Sequence, residues 1–148
     1  ENNKPTEFSF SDDSEASKSK TSSKQRNAKI HNNFKKNLEL TMCRCPITGS
    51  NIRLDHCHIK PYAKCTNNRE REDGWNGLLL YHGLHELFDE GLISFANNGK
   101  LLISEHLNET EKTVWNKYIY EGRVCDIRNE SGERSKYLSY HRNYIFLK

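Results

Sequence analysis

His56 and His58 lie two residues apart, and His85 and Asp89 lie four apart. On a strand, residues two apart point the same way, so the two histidines would share a face while Asp55 and Cys57 take the other. On a helix, residues four apart occupy adjacent turns, so His85 and Asp89 would stand side by side. An imidazole and a carboxylate so placed are workable ligands for a divalent cation. A strand histidine beside that pair supplies a base for water, and the cation a countercharge for phosphate oxygens. Those are the parts that phosphodiester hydrolysis needs. Residues 54–91 carry four of the seven histidines, and the apolar run Asn-Gly-Leu-Leu-Leu-Tyr separates the two His-bearing halves.

Positioning these groups takes a strand, a helix and elements to pack them. Residues 52–59 read as a strand that Pro61 ends, and residues 78–80 as a short buried segment. Residues 82–91 read as a short helix with Leu84, Leu87 and Phe88 inward and Gly91 as its stop. Upstream, Ile30, Phe34 and Leu38 recur at i, i+4, i+8 and predict an amphipathic helix over 29–41, with Lys35 and Lys36 outside. Pro46 and Gly49 mark a knuckle-like turn, and residues 63–75 read as a charged loop. Residues 92–104 predict a hairpin about Asn97-Asn98-Gly99. Asn108, with Glu111 three residues on, predicts the capped start of a helix over 109–120 with Val114, Trp115, Tyr118 and Ile119 inward. A turn region over 121–132 leads to a closing helix over 136–146.

The first 28 residues are Ser, Lys, Asn and Asp with two lone phenylalanines, acidic at Asp12, Asp13 and Glu15 and basic at Lys18, Lys20, Lys24 and Arg26. Such a segment buries too little apolar surface to offset its ordering entropy, so it reads as a disordered tail or interdomain linker before one folded domain, residues 29–148. The whole chain of 148 residues is 34% hydrophobic and 29% charged, with a net charge of +3. A pI near 8.6 permits a nucleic-acid partner but leaves phosphate contact to local clusters. No apolar stretch is long enough to span a membrane, and these residues carry no signal-peptide pattern. Five cysteines, two of them at 43 and 45, do not make a disulfide framework. The expectation is a reduced, cytoplasmic protein. A start at Glu1 suggests a fragment tethered to an upstream recognition or regulatory domain.

The motifs Cys-Pro-Ile-Thr-Gly (45–49), His-Ile-Lys-Pro-Tyr (58–62), Asn-Gly-Leu-Leu-Leu (76–80) and Leu-His-Glu-Leu-Phe-Asp-Glu-Gly-Leu-Ile-Ser-Phe (84–95) occur in that order. Together they resemble the His-Asn-His (HNH) endonucleases. The Tyr-Leu-Ser-Tyr-His-Arg-Asn-Tyr-Ile-Phe ending resembles the terminal segment of one subgroup. The resemblance implies an α+β class, with a ββα-metal core, flanking helices and an additional β-hairpin. It implies His58 as the general base, Asn76 as a brace that holds the loop and the His58 ring, and His85 with Asp89 as metal ligands. Cys57 stands where the wider superfamily often has another ligand. Asp55-His56 offers a competing register in which Asp55 is a ligand and His56 the base. The implied cofactor is Mg²⁺ or Mn²⁺, with Ni²⁺ or Zn²⁺ as further candidates. The implied partner is DNA, with Lys60, Lys64, Arg69 and Arg71 as backbone contacts, a restriction or anti-phage defence setting, and room for a homodimer.

Two readings from other classes stand beside it. One is a non-catalytic nucleic-acid-binding module on the same fold. The other is a zinc-stabilised interaction domain using Cys43, Cys45, Cys57 and Cys65, whose spacing lacks paired C-x-x-C knuckles.

Overall fold

The computed structural model describes residues 7–11 and 23–148. Helix α1, Ser23–Glu39, buries Ile30, Phe34 and Leu38 along the expected stripe. It begins six residues ahead of the predicted start, because Lys24, Gln25, Arg26 and Ala28 are all good helix formers. The 1–28 tail is therefore corrected over 23–28. It is also corrected over 7–11, where an extended segment clasps the folded body. The Asn37 side chain receives the Ser9 N–H and donates to the Ser9 carbonyl, both at 2.8 Å. Phe8 packs on Trp75, and the Arg69 guanidinium covers Phe10. The runs at Asp12, Asp13, Glu15, Lys18 and Lys20 lie outside the described residues.

Strand β1, Leu54–His58, pairs antiparallel with β2, Gly77–Tyr81, in a register that sets His58 opposite Gly77 and Leu54 opposite Tyr81. Leu78, Leu79 and Leu80 are all buried. A continuous apolar strand needs cover on both faces, which α1 and α3 (Leu84–Asp89) supply. A Cβ at Gly77 would lie 2.7 Å from the Phe34 ring, so the Asn-Gly pair before the leucines reflects how closely α1 approaches. Gly91 combines φ of +78° with a would-be Cβ contact on the Ile145 carbonyl. It stops α3 and seats the C-terminus at once.

The charged loop contains a helix, α2 (Asn68–Glu72), whose Asn67 cap accepts from Glu70 N–H at 2.9 Å. The Asn67-x-x-Glu70 spacing carried that signal. The second hairpin is β3, Ile93–Phe95, with β4, Leu101–Ile103. Helix α4 starts on the Asn108 cap as expected, but spans only Glu109–Val114. Val114, predicted inward, is 66% exposed, while Ile119 is buried, because the chain leaves the helix at Trp115. The closing segment is α5, Ser135–Tyr140, followed by one π-helical turn over His141–Ile145. That turn places His141 flat on Phe88 at 3.8 Å, bonded to the Phe88 carbonyl and the Ser94 hydroxyl.

Candidate active site

A cleft of about 450 Å³ is lined by His31, Phe34, Lys35, His56, His58, Ile59, Pro61, Tyr62, His85, Asp89, His141 and Ile145. Five of the seven histidines thus face one space. No β2 residue lines it, so the cleft runs along the free edge of β1. The alternation of β1 divides its residues as expected. His56 and His58 turn toward α1, where His56 pairs with Glu39 at 2.7 Å and His58 stacks on Phe34 at 3.6 Å. Asp55 turns toward α3.

The His58 ring is fixed from two sides. Its Nε2–H donates to the Arg71 carbonyl at 2.8 Å, since a carbonyl can only accept. That leaves the Nδ1 lone pair free. Burial lowers its pKa to about 4, so the ring is neutral at pH 7. The Asn76 side chain does not bond to the ring itself. Asn76 is fully buried and cross-links the loop instead. It receives the Lys60 N–H at 2.8 Å and donates to the Glu70 and Lys60 carbonyls. It thereby fixes the residue next to Arg71, and the ring is held one step away. Replacing Asn76 by Ala leaves these buried groups unpaired and is expected to cost about 2–3 kcal/mol in a urea melt. Asp at 76 should fare no better, because a carboxylate cannot donate to those two carbonyls.

On α3, His85 Nε2 lies 2.9 Å from an Asp89 oxygen, as the four-residue spacing requires. Its other ring nitrogen, Nδ1, lies 3.2 Å from Asp55 Oδ2. The hydrogen bond to Asp89, followed by the fields of both carboxylates, raises the His85 pKa despite partial burial. Cys57 is fully buried, its thiol donates toward the Asp55 carbonyl, and burial pushes its pKa well up. It does not line the cleft with His85 and Asp89, so the expected third ligand does not stand beside that pair. The carboxylate that reaches His85 from β1 is Asp55, two residues earlier on the same strand face.

The two nitrogens of one imidazole cannot reach the same ion. Asp89 lines the cleft with His85, and Asp55 does not. A cation in the cleft would therefore meet Nε2 and Asp89, with Asp55 accepting Nδ1–H behind, the usual carboxylate support of a metal-bound histidine. An imidazole and a carboxylate oxygen suit Mg²⁺, Mn²⁺ or Zn²⁺. Among the described residues no group of three or more His, Cys, Asp or Glu side chains is arranged to hold a metal ion, and His85 with Asp89 makes a pair. Asp55→Ala is expected to weaken metal binding about 10- to 100-fold by calorimetry. Unchanged affinity would remove Asp55 from that role.

The remaining candidates separate. Lys60 pairs with Glu70 at 3.1 Å. Arg71 turns inward onto the Tyr62 and Cys65 carbonyls. Arg69 sits on Phe10, and Lys64 is exposed. His82, 72% exposed, shares the Asp55 oxygen at 3.1 Å. All five cysteines are free thiols. Cys45 accepts from Thr48 N–H under its turn, and Cys65 faces the Lys60 and Pro61 carbonyls. Their separate partners leave no four-thiolate zinc site.

The family model described as HNH endonuclease matches residues 45–96. That segment, about a third of the chain, is what is similar to the HNH endonuclease family. The matched segment contains Asp55, His58, Asn76, His85 and Asp89, while His31, Phe34 and Lys35 of the cleft come from α1, ahead of it. HNH nucleases generally use a divalent metal, and the His85–Asp89 pair has the donor chemistry for one. A search of curated proteins found no match. Among the described residues no helix is long and apolar enough to cross a membrane.

Proposed function

We propose that the chain is a metal-dependent DNA endonuclease and that His58 is its general base. The observation that carries this reading is the shared cleft. It holds a neutral histidine with one free nitrogen together with a His–Asp pair fit for a cation. A bound cation would polarise the scissile phosphate and stabilise the leaving oxygen. Nδ1 of His58 would take the proton of the attacking water, and the Arg71 carbonyl would keep Nε2–H pointed away. His56 also lines the cleft, but its partner Glu39 is a surface carboxylate 58% exposed. His58 is pinned by backbone and by an aromatic ring, and it is the better base.

Phosphate contacts carry no base information, so cleavage would show little sequence preference. The resemblance to restriction-type nucleases supports a restriction or anti-phage defence setting. The direct test is nicking of supercoiled plasmid with Mg²⁺, Mn²⁺, Ni²⁺ and Zn²⁺ in turn, before and after chelation. Metal-restored nicking is expected. Tight, salt-sensitive DNA binding without cleavage in any metal would replace this reading with the non-catalytic module.

A further inference from the structure

The four basic residues of the 60–71 region are poorly placed to meet a phosphate in the cleft. Lys60 is paired with Glu70, Arg71 is bonded to the loop interior, and Arg69 is stacked on Phe10. Lys64 is exposed but does not line the cleft. Among the described residues, Lys35 of α1 is the one Lys or Arg that does.

The helix that carries it is held in place. Phe34, the preceding residue, is the platform under His58. His31, one turn earlier, stacks on Tyr62 at 4.7 Å and 15°. The Tyr62 hydroxyl in turn bonds to Asn27 of the same helix. The α1 wall is thus locked to the loop after β1, on the side that carries the base, and Lys35, exposed, lines the same space as His85 and Asp89. α1 lies outside the segment that matches the family.

We propose that Lys35 contacts a DNA phosphate in the cleft, so that α1 forms the second wall of the substrate site. The cleft would hold the backbone between a cation on α3 and an ammonium on α1. This rests on the endonuclease reading above.

Binding of a short fluorescent duplex is measured by anisotropy across a salt series, with chelator present to prevent cleavage. A phosphate contact releases counterions. Lys35→Ala is therefore expected to reduce the slope of log affinity against log salt by about one unit. Lys35→Arg should restore the slope. Lys36→Ala, on the neighbouring exposed position outside the cleft, should leave it unchanged. With metal, KM for cleavage should rise by a larger factor in Lys35→Ala than kcat falls. Parental slope and affinity in Lys35→Ala overturn the proposal and leave the nuclease reading intact, as does an equal loss in Lys36→Ala. A parent that neither binds nor cleaves DNA overturns both.

Discussion

Replacing His58 by alanine is expected to lower plasmid cleavage by about 10²–10⁴-fold, the usual contribution of a positioned base. The metal affinity should stay near the parental value, because His58 is not among the groups around His85. Parental cleavage by the variant would remove His58 from the mechanism. Loss confined to His56→Ala would move the base to that residue.

The pH dependence separates the two histidines that matter. His58, with a pKa lowered to about 4, stays unprotonated through the range in which most assays are run. The His85 pKa is raised above its usual 6.5, so a proton on Nε2 competes with the cation. The acid limb of the rate profile should therefore lie above the ordinary imidazole range at low metal and move to lower pH as metal is added. A limb that ignores metal concentration would assign it to another group.

Stability imposes a separate limit. The folded-state pKa values of His58 and His141 are both lowered to about 4 from 6.5. Between those values the unfolded chain binds the extra protons. Stability is then fully present above about pH 6.5 and falls as pH drops toward 4, by up to about 1.4 kcal/mol per pH unit for each histidine. Rates in that window need a parallel melt.

The parts of this fold that could be read in advance are those whose signal is local. The α1 stripe of Ile30, Phe34 and Leu38, the His85–Asp89 spacing and the Asn108 cap each depend on residues within a turn or two. Asp55 and Cys57 could not be told apart that way, since both occupy the same strand face. What separates them is α3, which leaves Cys57 under the core and Asp55 within reach of His85. The docking of residues 7–11 depends on Asn37 and on Glu72, a buried carboxylate that receives the Ser11 and Asn33 N–H groups. Each partner looks unremarkable in a polar stretch. The carbonyl that orients His58 belongs to Arg71, and no side-chain pattern announces a backbone acceptor.

Arg134 is the clearest case of a residue that composition would place at the surface, and its removal is expected to have the largest effect on stability. Its side chain is 0% exposed. Nε donates to the Gly77 carbonyl, Nη1 to the carbonyls of Ile127 and Arg128, and Nη2 to the Thr41 hydroxyl and the Gly74 carbonyl. Those acceptors occupy all five donors of a guanidinium. The charge lies over the Trp75 ring at 5.0 Å. Burial lowers its pKa to about 10, which still leaves it charged at pH 7. It ties the end of α1, the 74–77 segment and the 127–128 turn to one point. Arg134→Ala would orphan several buried carbonyls at once and is expected to cost about 3–5 kcal/mol. That is a large share of the roughly 5–15 kcal/mol that holds a domain folded. Lysine should recover little, because three donors on a compact ammonium cannot reproduce the planar fork. Gly77 pairs with His58 across the hairpin, so cleavage should fall with stability rather than independently of it. Urea midpoints for Arg134→Ala and Arg134→Lys decide the matter: a shift worth under about 1 kcal/mol would mean that water replaces the guanidinium at these carbonyls.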